Sequence, residues 1–152
     1  AKLLSITRGI LPLACPKSKL QPVYVGDVAQ AVINIIENDS LAGQVYELGG
    51  PEIYSLKEIV EYIGEVSGIN TRIIPLNNLL SALQAQTLEF FPGKPFSKDN
   101  LRALKKDSVC KRVDSLDTLR IRPTRMSEIL PSYLGEKNIK GRYSEYRNLA
   151  GR

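Results

Sequence analysis

The stretch that decides the fold is Leu20-Gln-Pro-Val-Tyr-Val-Gly-Asp-Val-Ala29. Residues 20–25 form a short β-type run, in which Pro22 favours a strand start or a sheet edge. Gly26 and Asp27 follow, and we predict that Asp27 is the N-cap of a helix because its carboxylate can accept hydrogen bonds from first-turn amides. The stretch therefore predicts a strand that leads directly into a helix.

The rest of the chain continues this alternation. The helix after Asp27 is predicted to bury one stripe at helical spacing, which consists of Val28, Val32, Ile35 and Ile36. Further strands are predicted at residues 44–48 and 71–76, whereas residues 2–13 are predicted to be a helix end and a turn.

Four more helices are predicted from capping residues and apolar spacing. One begins at the capping box Ser55-Leu-Lys-Glu58, with Leu56, Ile59, Val60 and Ile63 inward. The next, residues 78–91, is predicted to turn five apolar residues inward: Leu79, Leu80, Leu83, Leu88 and Phe91. Ser97 and Thr124 are predicted to cap two short helices near the end of the chain.

Three short strands among several helices indicate an α/β fold. A complete dinucleotide-binding domain needs about six strands and a glycine-rich first turn, such as Gly-x-Gly-x-x-Gly. The chain has neither, because Gly49-Gly50-Pro51 is followed by a capped helix only at Ser55 and is typical of a turn. We therefore expect no cofactor-binding residue in this chain.

Composition excludes much chemistry. The 152 residues are 43% hydrophobic and 24% charged, as in a globular protein, and no apolar run is long enough to span a bilayer. The absence of histidine rules out Ser-His-Asp and Cys-His pairs within the chain. Cys15 and Cys110 lack metal-ligand spacing, so we predict free thiols, no metal site and a reducing compartment. No signal-peptide pattern is expected at the N-terminus.

The net charge of +5 leaves several interpretations open. Basic residues concentrate around residues 102–112 and in residues 137–152. They could form a solvated surface, or a docking patch for an acidic partner or an anionic membrane. Nucleic-acid binding is disfavoured because no stacking aromatics are interleaved with the first cluster.

Several blocks together resemble the C-terminal part of the extended or atypical short-chain dehydrogenases/reductases. Within that superfamily they are most similar to the NAD(P)-binding accessory subunit of respiratory complex I (NADH-ubiquinone oxidoreductase) and its bacterial relatives. Besides residues 20–29, the blocks are Val45-Tyr-Glu-Leu-Gly-Gly-Pro-Glu52, Tyr54-Ser-Leu-Lys-Glu-Ile-Val60, Leu104-Lys-Lys-Asp107 and residues 123–134.

The resemblance implies an α/β, Rossmann-like protein of which this chain is a C-terminal fragment. Residues 1–134 would be the substrate-side lobe, and residues 135–152 a basic, flexible tail. The N-terminal Rossmann half would be the main partner of the lobe and would hold NAD(P) and the Tyr-x-x-x-Lys pair. The fragment alone would then not be catalytic.

For the whole protein, the resemblance leaves two functions open. It could be an NAD(P)-dependent oxidoreductase, or a non-catalytic assembly or docking module that binds respiratory complex subunits or an anionic membrane surface. We expect the protein in the cytoplasm, with the surface of the inner membrane as an alternative.

The resemblance also suggests substrate-binding residues, namely Lys19, Gln21 and Tyr24, because the chain just before residues 20–29 lines the substrate cleft in extended family members. Lys19 could meet a phosphate there as a point charge. The competing interpretation is a solvated lysine and a surface glutamine. Tyr133-Leu-Gly-Glu-Lys137 also satisfies Tyr-x-x-x-Lys, but Pro131 and Gly135 disfavour the single helix that such a pair requires, and we predict no catalytic residue.

Overall fold

In a computed structural model, residues 2–89, 96–111 and 115–134 are described. The chain divides into two compact units, and each unit consists of two separate stretches of sequence. The first unit contains Ala1–Leu20 and Tyr54–Val109, and the second contains Gln21–Ile53 and Cys110–Arg152.

The first unit contains four strands and four helices within its described residues. They are α1 (Lys2–Ile6), β1 (Ile10–Leu13), β2 (Lys19–Leu20), β3 (Tyr54–Ser55), α3 (Leu56–Val66), β4 (Arg72–Pro75), α4 (Asn78–Leu88) and α5 (Lys98–Leu104). β1 and β4 pair in parallel with Ile10 opposite Arg72, and β2 and β3 pair antiparallel. A small core joins Ala14, Ala85 of α4 and Leu101 of α5.

The second unit is helical apart from extended segments. Its described elements are α2 (Val25–Glu37), a 3₁₀ turn (Asp39–Leu41), α6 (Ser115–Thr118) and α7 (Met126–Leu134). Its core consists of Ala31, Leu116, Leu119 and Ile121, against which Ile35, Tyr46 and Leu48 pack. None of the helices among the described residues has the length and hydropathy needed to cross a membrane.

The capping box of α3 is confirmed. The Ser55 hydroxyl accepts from the Glu58 amide at 3.2 Å, and the Glu58 carboxylate accepts from the Ser55 amide at 2.6 Å. The hydrogen bond from the Ser55 amide, and then that with its side chain, lower the pKa of Glu58 from its ordinary value near 4.5. At the other end, Gly68 has the left-handed φ of +67° typical of a residue that terminates a helix.

We expect Ser55→Ala to lower the free energy of unfolding at pH 7 by about 1 kcal/mol. Because the pKa of Glu58 is depressed in the folded state, its stabilising contribution is present above the ordinary value and is lost as the pH falls through the lower, folded value. Urea unfolding of Glu58→Gln and the parent between pH 3 and pH 7 tests this. A stability difference between the two proteins that persists unchanged at pH 3 would contradict the capping interpretation.

Two predicted strands are wrong. Residues 20–25 form a strand only at Leu20, because Pro22 has no amide hydrogen to donate to a ladder. Residues 44–48 have no ladder partner in the described part of the chain. There the Glu47 amide donates to the Ser115 hydroxyl at 3.2 Å instead. β1, predicted as a turn, is a strand because it pairs with β4. The partner lies about 60 residues later in the sequence, so the local sequence did not indicate the pairing.

Two predicted buried faces are wrong in part, since Val28, Ile35 and Leu88 are half-buried and the other described members are not. Val32 and Ile36 of α2 are exposed, and the helix buries Asp27 and Ala31 instead. On α4, Leu79, Leu80 and Leu83 are exposed, and Ser81 and Ala85 are buried. In both helices the most buried side chains are small or polar, although Ile35 of α2 also packs against the core of the second unit, as predicted. The described part of α4 ends at Leu88, and Phe91 lies outside the described residues.

Candidate functional site

Hydrogen bonds of the Asp27 side chain connect α2 to a distant segment of the second unit. Its two carboxylate oxygens accept from the Thr124 amide at 2.7 Å and from the Thr124 hydroxyl at 2.8 Å. The prediction that Asp27 is the N-cap is therefore wrong, since Tyr24 occupies that position and Asp27 lies inside the first turn. Thr124, predicted as a cap of the last helix, uses its side chain for Asp27 instead.

The Gln21 side chain makes a second set of long-range hydrogen bonds in the same unit. Its side-chain amide donates to the Gly50 carbonyl at 2.7 Å and accepts from the Cys110 amide at 2.9 Å. A β-carbon at Gly50 would overlap the carbonyl oxygen of Pro22, so only glycine allows this close approach. Gly49 and Gly50 therefore serve packing, which agrees with the predicted turn.

Cys110, whose backbone amide donates to the Gln21 side chain, has a free thiol. Burial, and secondarily the negative charge of Glu47, raise the pKa of the Cys110 thiol. The thiol is therefore protonated near neutral pH and is not an activated nucleophile. Among the described residues, no group of three Asp, Glu, Cys or His side chains could hold a metal ion.

An apolar cleft of about 330 Å³ lies between the N-terminus of α2 and α7. It is lined mainly by apolar and aromatic residues: Pro22, Val23, Tyr24, Val25, Thr124, Arg125, Met126, Ile129, Leu130 and Tyr133. A β-carbon at Gly26 would overlap the Tyr24 ring, so this glycine gives the ring its position. We call this the Tyr24 cleft.

The polar groups of the Tyr24 cleft are few. Thr124 is fixed by Asp27, and the Arg125 guanidinium lies 3.8 Å from the Glu52 carboxylate. Tyr24 and Tyr133 each combine an aromatic ring with a hydroxyl group, which suits a ligand with an apolar body and a polar edge. The cleft can therefore bind and orient such a ligand, and the described residues of its lining include neither a carboxylate nor a lysine for proton transfer.

The three predicted substrate-binding residues have different environments. Tyr24 lines the cleft. Gln21 lines a smaller pocket of about 110 Å³ with Gly49 and Cys110, and both ends of its amide are bonded to backbone.

Lys19 belongs to the first unit, where its amide donates to Asp107 at 3.0 Å and its side chain is exposed. The substrate-binding role of Lys19, Gln21 and Tyr24 remains a prediction.

Of the described lining, sequence reasoning assigned only Tyr24 to a binding site, and the residues that it missed include Met126, Ile129 and Leu130 of α7. The signal was present, because Met126, Ile129, Leu130 and Tyr133 are spaced i, i+3, i+4 and i+7 along one helix face. Tyr133 lies within α7, which continues past Pro131, although that proline was taken to disfavour a helix there. Gly135 and Lys137 lie outside the described residues.

Curated proteins are similar to the chain in sequence. The chain is 31% identical over 112 residues to the mitochondrial NADH dehydrogenase [ubiquinone] 1 alpha subcomplex subunit 9 of Arabidopsis thaliana, covering 66% of this chain and 28% of that protein. The subunit of the same name from Rattus norvegicus is 26% identical, over 88% of this chain and 34% of that protein. The chain is related to this complex I subunit. The predicted resemblance is confirmed, and the chain spans about a third of the length of these curated relatives.

A shorter match lies outside the complex I subunits. Over 49 residues the chain is 47% identical to a protein of Oryza sativa named Cyclin-B1-2. This match covers 32% of this chain and 12% of that protein. No protein-family model matches the chain.

Solved structures support the fold. An NADPH-dependent quinone oxidoreductase from Escherichia coli superposes with a TM-score of 0.63 at 19% identity, over 84% of this chain and 47% of that one. A nucleoside-diphosphate-sugar epimerase from Staphylococcus aureus gives 0.62 at 21% identity, over 89% and 46%. The predicted α/β, Rossmann-like fold class is confirmed.

Proposed function

We propose that this relative of the complex I subunit is the substrate-side lobe of an oxidoreductase-like accessory protein. The Tyr24 cleft carries the proposal, since it is an apolar, pre-formed site with few polar groups in a fold shared with an NADPH-dependent enzyme. The ligand we propose has a flat apolar ring with a carbonyl edge, the chemistry of a quinone. The names of the relatives and of the structural neighbour support this choice.

In this proposal the chain closes the cleft and the remainder of the protein supplies NAD(P). Gly49 and Gly50 do not form a glycine-rich turn that leads directly into a helix, since α3 begins only at Leu56. The dinucleotide would therefore be held mainly by an N-terminal Rossmann half. Tyr24 is proposed to contact the ring, and Lys19 and Gln21 are proposed to contribute further substrate contacts.

The second candidate function is a non-catalytic assembly or docking role. Within the part of the chain that the structure describes, the two tyrosines are the acid–base groups of the Tyr24 cleft. Under this alternative the protein binds respiratory complex subunits or an anionic membrane surface and lies peripheral to the inner membrane. The relatives are complex I subunits, which favours contact with that complex.

Turnover by the full-length protein separates the two functions. With NADPH and 1,4-naphthoquinone, we expect oxidation of NADPH, and we expect Tyr24→Ala to raise the KM for the quinone about tenfold through the loss of aromatic contact. Val45→Ala, at a highly exposed position of the same unit, should leave KM unchanged. Lys19→Ala should weaken the binding of a ligand that carries a phosphate or carboxylate group by about 1–2 kcal/mol, and should leave the KM for the neutral 1,4-naphthoquinone unchanged.

The 152-residue chain is a further control. We expect it to bind NADH and NADPH no tighter than millimolar in calorimetric titrations. A micromolar dissociation constant would contradict the proposal that the N-terminal half holds NAD(P). Absence of turnover in the full-length protein, together with co-purification with complex I subunits, would favour the docking function. Equal KM values for Tyr24→Ala and the parent would remove the cleft from the proposal.

A further inference from the structure

A second cavity, of about 350 Å³, lies at the other end of α2 from the Tyr24 cleft. It is formed within the second unit by the last turn of α2, the 3₁₀ turn and the end of α6. Among the described residues, the two sites share no lining residue. We call this second site the Arg120 cavity, and the functions proposed above make no use of it.

Hydrogen bonds and core packing hold the wall of the Arg120 cavity in place. The Asn34 side chain donates to the Leu119 carbonyl at 2.7 Å, and the Leu119 side chain is fully buried in the core of the second unit. In the 3₁₀ turn, the Leu41 carbonyl accepts from the Tyr46 hydroxyl at 3.0 Å. The Leu41 amide donates to the Asn38 carbonyl at 2.9 Å. The cavity is therefore pre-formed, as ligand sites usually are.

Two opposite charges line the Arg120 cavity without pairing. Within the described residues, neither the Glu37 carboxylate nor the Arg120 guanidinium makes a hydrogen bond or an ion pair, with each other or with another group. Helix α2 ends at Glu37 and has no basic residue in its last turn, so the negative end of the helix dipole adds to the charge of Glu37. The cavity therefore presents one negative and one positive group to its occupant.

Arg120 has a backbone conformation that usually belongs to glycine. Its φ is +56°, and its amide donates to the Asp117 carbonyl at 2.9 Å. The next amide, that of Ile121, donates to the Leu116 carbonyl at 2.9 Å, which completes the hydrogen-bond pattern of a helix end with a left-handed residue. A side chain destabilises the folded state at such a φ, and residues in this conformation are concentrated at functional sites. An arginine at this position therefore agrees with a binding role for its guanidinium.

We propose that the Arg120 cavity binds a small zwitterion, which carries a carboxylate and an ammonium group on a short aliphatic chain. The Arg120 guanidinium holds the carboxylate through its N–H donors. The Glu37 carboxylate and the C-terminal end of α2 hold the ammonium group. A ligand with a single charge is attracted by one of the two side chains and repelled by the other. This proposal is independent of ligand binding in the Tyr24 cleft.

Calorimetric titration of the full-length protein tests the Arg120 cavity. The zwitterions are β-alanine and 4-aminobutyrate, and the singly charged ligands of the same chain lengths are propionate, propylamine, butyrate and butylamine. We expect one of the zwitterions to bind at least about tenfold more tightly than its singly charged counterparts. Arg120→Gly and Glu37→Gln should each weaken zwitterion binding about tenfold or more. Because glycine adopts a positive φ without strain, Arg120→Gly should not lower the melting temperature, so its loss of binding is not a loss of fold.

Arg122→Gln is the matched control, because Arg122 is an exposed arginine of the same segment and is not among the described residues that line the cavity. We expect it to leave zwitterion binding unchanged. Equal affinities for the zwitterions and the singly charged ligands would overturn the proposal, as would parental affinity in Arg120→Gly. Absence of zwitterion binding by the full-length protein would also overturn it, and would indicate that the remainder of the protein fills the cavity.

Discussion

Asp27→Ala is expected to lower the free energy of unfolding by about 3 kcal/mol. The substitution removes two charge-assisted hydrogen bonds to Thr124 and leaves the Thr124 amide without its acceptor. Asp27 is buried, so water replaces these bonds poorly. Urea unfolding followed by circular dichroism measures the loss.

Two further variants test the interpretation of Asp27. Serine is a good N-cap residue but too short to reach Thr124, so Asp27→Ser should cost nearly as much as alanine. Asp39→Ala, at an exposed acidic residue of the same unit, should change stability by less than about 0.5 kcal/mol. If Asp27→Ser kept parental stability, the residue would act as a local helix cap, and its hydrogen bonds to Thr124 would contribute little to stability.

Gly50→Ala is expected to cost about 1–3 kcal/mol, the usual range for overpacking. The new β-carbon would overlap the carbonyl oxygen of Pro22, and a backbone carbonyl beside a proline ring has little freedom to move. The shift would also disturb the hydrogen bond from Gln21 to the Gly50 carbonyl. Thermal unfolding of the variant measures the effect.

Gly49→Ala is the matched control for Gly50→Ala. At Gly49 a β-carbon would meet the Cys110 sulfur at 2.6 Å and the Gln21 side chain at 2.7 Å, and side chains can rotate away. Neither glycine has a positive φ, so backbone strain does not separate the two. We therefore expect the smaller loss at Gly49, and the reverse order would show that the Pro22 backbone is not the obstacle.

Local signals in the sequence predicted local structure well. The Ser55 and Glu58 capping box and the Ser97 cap are present as predicted, and Lys57 and Glu61 form an ion pair at 3.6 Å on the same helix as the capping box. Each involves residues three or four positions apart, so the chain between them can adopt only a few geometries.

Long-range partners could not be deduced from the same signals. Asp27 has the composition and position of an N-cap, and only the location of Thr124, 97 residues away, decides otherwise. The apolar spacing of α2 and α4 correctly predicted helices. It gave partly wrong inward faces, since Ala31 and Ala85 are buried whereas Val32 and Leu83 are exposed. The Tyr24 cleft was only partly foreseen, since it combines the N-terminus of α2 with α7.

The interleaved order of the two units has a consequence for synthesis on the ribosome. The hydrogen bond between Gln21 and Cys110 cannot form until 89 further residues have been synthesised, and the bonds between Asp27 and Thr124 need 97 further residues. At about 5–20 residues per second, these delays are on the order of 5 to 20 seconds. During that interval α2 has emerged without the segment that fastens it, and its apolar residues are open to chaperones and to other nascent chains. The yield of folded protein should therefore depend on protection of the unfinished polypeptide, more than for a chain whose units follow one another in sequence.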